Sequence, residues 1–192
     1  MNLGLLLLRL LLAGLLFGHS TQKLFGWFGG AGPSGTAVPF EKWGFEPGRR
    51  LVLLAGVLEL AGAVSIAAGL LTPAGCAVVV GTMVVAAAAL APNGFWAQTG
   101  GCEVPFCYGA LAAILGFSGP GSWSLDAALG LTGMSGPAWG AAALAAGLLA
   151  AVVPLRARSR VLRARRETET IANPYTYTEY GGAGVAVRRD DD

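Results

Sequence analysis

The chain has 192 residues, 54% of them hydrophobic and only 12% charged, with a mean hydropathy of +0.60. That charged share is about half the usual value for soluble proteins, so too little polar surface remains to cover a water-soluble domain. The net charge of +2 is small and uneven, concentrated in Arg156, Arg158, Arg160, Arg163, Arg165 and Arg166, which argues against a nucleic-acid-binding face.

The first apolar stretch runs over residues 3–25, with Arg9 inside it and His19 where it tails off. A cleaved signal peptide has a similar profile. The internal arginine and the lack of a clear A-x-A site favour a retained helix. Gly14 and Gly18 form a GxxxG step, a pattern that lets helix backbones approach closely in lipid, and packing within the chain is expected from it. The segment that follows is rich in aromatics: Phe25, Trp27, Phe28, Phe40, Trp43 and Phe45. Aromatic rings favour the headgroup level, so this loop is expected to lie along the membrane, with a short interfacial helix over residues 36–43. Membrane anchoring is its plainer role, and a lid over a lipophilic ligand the sharper one.

Residues 51–71 and 137–155 are long enough to span, given the roughly 17–25 apolar residues that a crossing takes. The stretches at 74–90 and 102–117 are marginal by length and need close partners or a thinner bilayer. Ala143 and Gly147 provide a second small-xxx-small pair. Five spans put the basic run after residue 155 and the loop with Lys42, Arg49 and Arg50 on one side, as the positive-inside rule requires of the cytoplasm. Beyond the last span, residues 156–192 read as a basic and then polar tail, expected to be disordered from residue 167 for want of apolar periodicity. Its tyrosines in NPYTYTEY are expected to be plain solvated residues. The fold class is therefore all-α: a polytopic membrane bundle anchored in the lipid bilayer, with the tail cytoplasmic.

Ionisable groups inside a span are the informative residues, because each costs about 2.5–3.5 kcal/mol at a helix centre. Glu59 sits mid-span on a side chain too short to reach the interface, so it needs a partner, a proton or water. Antiparallel packing of the first two spans puts His19 within roughly 4–5 Å of its depth and Arg9 roughly 10 Å away. His19 is thus the nearer match, and a Glu–His pair in low dielectric can hold a proton or bond a quinone carbonyl. The plainer role for Glu59 is a hydrogen bond that fixes the bundle. Glu103 and Asp126 fall at segment ends, where capping is the default. Cys76, Cys102 and Cys107 contain no CxxC pair, and with a single histidine no metal site is expected. Cys102 and Cys107 point about 140° apart on a helix, which disfavours a disulfide.

Taken together, these stretches resemble the DoxX family of small polytopic membrane proteins of bacteria and archaea. The resemblance is carried by GHSTQKLFGWFGG at 18–30, GTAVPFEKWGFEPG at 35–48, LAGVLELAGAVSIAAGLLTP at 54–73, NGFWAQTGGCE at 93–103 and GPGSWSLD at 119–126. At Ala63, Cys102 and Ser122 the chain departs from a glycine, an aromatic and an arginine that are frequent there. The resemblance implies a four-helix core over residues 1–130, to which residues 137–155 add a span. It also implies service in a membrane redox complex, since founding members look like a subunit of a thiosulfate:quinone oxidoreductase and mycobacterial relatives are linked to thiol stress. On that reading the cofactor is a quinone, the partner a redox enzyme, and Glu59, His19 and Arg9 the ligand or proton-binding residues, with Glu103 and Asp126 secondary. The basic run at Arg156–Arg166 then meets anionic lipid. A small transporter or permeability factor with a proton site at Glu59 is the alternative. A self-sufficient enzyme is disfavoured, because the sequence offers no nucleophile, metal cluster or phosphate loop.

Overall fold

The computed structural model describes residues 2–172, and the tyrosine-containing segment at 173–180 lies outside them. The helices, in chain order, are α1 (Asn2–Phe25), α2 (Gly32–Lys42), α3 (Gly48–Ala68), α4 (Thr72–Leu90), α5 (Glu103–Ser118), α6 (Leu125–Ala128) and α7 (Pro137–Ala172). Among the described residues α1, α3, α4 and α7 are long and apolar enough to cross a membrane, and α5 is a shorter apolar helix. At 16 residues α5 spans roughly 24 Å, short of the roughly 30 Å hydrocarbon core.

Small and special residues set the helix ends. Gly26 adopts φ 73° and stops α1, while Gly69 at φ 61° closes α3 with its N–H bonded to the Ile66 carbonyl. Both angles are left-handed values that glycine reaches without strain. Prolines follow at the starts of α2 and α4, where a missing N–H costs nothing. Glu41 of α2 reaches across to accept the N–H of Gly48, satisfying one of the free donors that open α3.

Each crossing helix turns a stripe with helical spacing to the interior. On α1 this stripe is Arg9, Leu12, Ala13, Leu16 and Ser20; on α3 it is Val52, Gly56, Glu59, Ala63 and Ile66. The faces outside the stripes keep Leu7, Leu11, Leu54, Val57 and Val64 more than half exposed, an arrangement that suits lipid and not water. α4 lies at the centre, packed against α3, α5 and α7. The residue-144 region of α7 joins the core of Leu12, Leu16, Ile66, Val79 and Leu115, so the last span is integral to the bundle.

Two sequence expectations need correction. Gly14 and Gly18 do not serve packing within the chain, because a Cβ on either would meet nothing within 4 Å. The second pair does: Ala143 is buried, and a Cβ on Gly147 would fall 2.6 Å from the Ala77 carbonyl oxygen. A one-dimensional motif carries no azimuth, and Gly14 lies on the outer face of its helix. Residues 167–172, the start of the stretch expected to be disordered, are also helical, since α7 continues unbroken through the basic run to Ala172, and the rest of that stretch lies outside the described residues. Arginine, alanine and leucine are strong helix formers, and this extension docks on α2. At 36 residues α7 is roughly 54 Å long, well beyond what a bilayer core needs.

Candidate functional site: an intramembrane cavity with a polar corner

The bundle has two ends. One holds the start of α1, the C-terminus of α3 and α6; the other holds α2, the 91–102 loop and the α7 extension. Both ends bury charge, and the two burials differ in kind.

At the α6 end, Arg9 is 1% exposed and spends its guanidinium on main-chain carbonyls. Its Nε donates to Ile66 O at 2.8 Å, Nη2 to Ala67 O at 2.6 Å, and Nη1 to Pro120 O at 3.0 Å and Trp123 O at 2.7 Å. The first two carbonyls close α3, where the helix dipole is negative and its acceptors lack partners. Asp126 does the complementary work. Its carboxylate accepts from Leu71 N, Thr72 N and Thr72 Oγ1 at 2.7–3.0 Å, capping the positive N-terminus of α4. The first of these bonds also holds Leu71 at φ 49°, a left-handed value that a leucine adopts only under strain. Arg9 and Asp126 therefore bind together α1, α3, α4 and the loop before α7.

At the α2 end, a cavity of about 650 Å³ opens among α1, α3, α4, α5 and α7 under a roof formed by Phe40, Trp43 and Phe45. Its walls are almost wholly apolar, built from residues such as Leu51, Leu58, Val78, Met83 and Ala151. One corner is polar. There Lys23 Nζ meets Glu59 Oε2 at 2.6 Å, with Glu59 4% and Lys23 20% exposed at the side chain. Beside them Tyr108 Oη lies 3.4 Å from His19 Nε2, the two rings 5.6 Å apart.

This pairing corrects the expected one. Glu59 bonds Lys23 and not His19, His19 bonds Tyr108, and Arg9 is committed to the far end of the bundle. Depth measured between Cα atoms misses the side-chain lean. Helical side chains tilt toward their own N-terminus. On antiparallel α1 and α3, Lys23 therefore leans inward while Glu59 leans outward, and a long lysine closes the gap between them. One sequence signal was available: Lys23 follows His19 by four residues and shares its face. Tyr108 gave none, because its place opposite His19 depends on how α5 packs against the rest of the bundle.

The secondary candidates hold backbone in place, Asp126 as a helix cap and Glu103 as a loop tie. Glu103 stands in the first turn of α5 and accepts the Ala97 N–H at 2.8 Å, folding the 91–102 loop back without lining the cavity. Cys102 and Cys107 are both free thiols, the latter exposed on the outer face.

The fold and cavity define a class: a multi-pass all-α membrane protein with an apolar chamber between its helices. Comparison with known proteins then adds a likeness over part of the chain. Residues 4–92 match the DoxX family model, a stretch that runs from α1 through α4 and includes His19, Lys23, Glu59 and the roof. The likeness to that family covers this segment of the membrane bundle; α5, α6 and α7 lie beyond it. No curated protein and no solved structure matches the chain.

Proposed function

We propose that the protein is a membrane subunit of a quinone-linked redox complex in a bacterial cell membrane, and that its cavity receives the quinone. The observation that carries this reading is the contrast between an almost wholly apolar chamber and the one corner where lysine, carboxylate, imidazole and phenol converge. The volume lies within the roughly 300–1,000 Å³ usual for small-molecule sites, in which a few polar groups orient a mostly apolar ligand. A quinone has matching chemistry, an apolar ring and tail with two acceptor oxygens.

The residues present fit such a head group. Lys23 carries three N–H donors and gives one to Glu59, leaving two for a ligand, and Tyr108 adds a hydroxyl. Glu59 holds the lysine aimed into the chamber, and His19 fixes the phenol. When bound, a quinone would supply two-electron, two-proton chemistry that these side chains do not provide by themselves. Its electrons would come from a partner enzyme of thiol or sulfur chemistry, an inference by family analogy.

The cations at the α2 end support an assignment of that end to the cytoplasm. Lys42, Arg49 and Arg50 gather there with the arginines of α7. Four of those arginines, Arg156, Arg160, Arg163 and Arg166, are exposed and suited to anionic headgroups, while Arg158 and Arg165 are engaged by the α2 region. The transporter alternative has less support. Between the polar corner and Arg9 the interior is filled by Leu12, Leu16, Ile66 and Leu115, all 0% exposed.

Two measurements test the proposal. Purification from the native host in mild detergent, followed by mass spectrometry, should recover a stoichiometric redox enzyme. Binding of a short-chain quinone to the protein in nanodiscs should weaken about tenfold in Glu59→Gln. Unchanged binding would remove Glu59 from the site, and no quinone binding by the native chain would end the reading.

A further inference from the structure

We infer that the cavity has a lateral doorway to the bilayer between α3 and α7, and that the α7 extension latches the roof shut against water, so that its ligands arrive dissolved in the membrane. This inference concerns access to the site proposed above. It holds for any lipid-soluble occupant, whether or not that occupant is a quinone.

The doorway follows from which cavity-lining residues also face outward. α3 and α7 both line the chamber, yet they do not pack together as neighbours, because α4 lies behind and between them. Leu54 on α3 lines the cavity while 54% exposed, and Ala150 on α7 lines it from an exposed position. These two helices face each other across a gap floored by Val78 and Thr82 of α4. Pro154, which also lines the cavity, has no N–H to give to the Ala150 carbonyl, leaving a polar acceptor on the α7 side.

The roof is held from one side. Trp43 and Phe45 both line the cavity, at the corner where α2 turns into α3. Arg158 Nε donates to Trp43 O at 2.7 Å, and its guanidinium lies 5.8 Å over the Phe45 ring. Between those two roof residues is Gly44, at φ 88°, where a Cβ would fall 2.8 Å from Leu162 Cγ. Leu162 thus rests directly on the turn. One turn further along, Arg165 donates to Glu41 O at 2.8 Å and pairs with Glu46. Residues 158, 162 and 165 recur at helical spacing, so one face of the extension grips the α2–α3 corner along its length. Arg158 touches no ligand; it is a positioning residue that acts through Trp43 and Phe45. The latch lies beyond the DoxX match at residues 4–92, whereas the roof lies within it.

Thiol accessibility tests both parts without any ligand. In a background with Cys76→Ala, Cys102→Ser and Cys107→Ser, a cysteine is introduced by Thr82→Cys on the cavity floor of the full chain in liposomes. Two thiosulfonate reagents are compared, one permanently charged and one neutral and membrane-soluble. With the latch intact, the neutral reagent should react much faster. Arg158→Gln should raise the charged reagent's rate by roughly tenfold, the scale of one charge-assisted hydrogen bond, and leave the neutral rate unchanged. Arg158→Lys should restore part of the block, and Arg160→Gln, on the exposed face, should do nothing. Leu162→Ala provides a second, gentler opening should Arg158→Gln fold poorly. Ala150→Trp should slow the neutral reagent alone. The latch is overturned if Arg158→Gln and Leu162→Ala both match Arg160→Gln, and the doorway is overturned if Ala150→Trp leaves the neutral rate unchanged.

Discussion

The two ends of this bundle bury charge for different ends, and the difference separates structure from site. Arg9 and Glu59 are both ionisable, within crossing helices, and almost fully withdrawn from the surface. Arg9 finds four carbonyls and Asp126 three donors, and neither lines the chamber. Glu59 finds a single lysine, which keeps donors to spare and faces an open chamber. Burial of charge in a membrane helix is therefore only half of a functional argument. Unspent hydrogen-bonding capacity next to empty volume is the other half.

The largest test of this contrast is Arg9→Met. It strips four buried carbonyls of their donor and unbinds α1 from the α3 terminus, so a loss on the order of 3–5 kcal/mol is expected. Thermal unfolding in detergent reads it; a small shift would mean that Arg9 is a site residue after all. Asp126→Ala removes the cap of α4 and the restraint on Leu71, with a loss of about 2–3 kcal/mol and no change in ligand affinity for whatever protein folds.

At the other end the signs should reverse. Lys23→Met is expected to cost stability by only about 1–2 kcal/mol, because a single ion pair beside an open chamber is lost instead of four packed hydrogen bonds, while quinone binding falls about tenfold or more. The double variant Lys23→Met with Glu59→Gln should regain stability over Lys23→Met alone, since no charge is then left buried without its partner. If stability and binding fell together in every variant, the distinction between the two ends would fail. The smallest effect belongs to Tyr108→Phe, whose hydroxyl makes one long contact. Stability should move by less than about 0.5 kcal/mol and binding by a few-fold, read by titration in nanodiscs.

The predicted spans agree with the helices closely, because the bilayer makes length and hydropathy nearly sufficient to define them. Residues 36–43 were expected to form a short interfacial helix, and α2 occupies Gly32–Lys42. Asp126 makes capping bonds, to the start of α4, whereas Glu103 ties back the 91–102 loop. What did not follow from the sequence depended on direction around or along a helix. Gly14–Gly18 and Ala143–Gly147 are alike as strings, yet one faces outward and the other meets α4.

By itself, then, the sequence determined the solvent this chain lives in, its helices, its likeness to the DoxX family over residues 4–92 and the presence of Glu59 at a depth where lipid demands a partner. It did so because those properties are sums over residues or costs borne by one residue alone. Tertiary structure alone decided that the partner is Lys23, that Arg9 and Asp126 are consumed in holding helix ends, and that α7 both walls the chamber and grips its roof. These outcomes rest on the lean of side chains and on which faces meet, quantities that arise only when helices distant in sequence pack together.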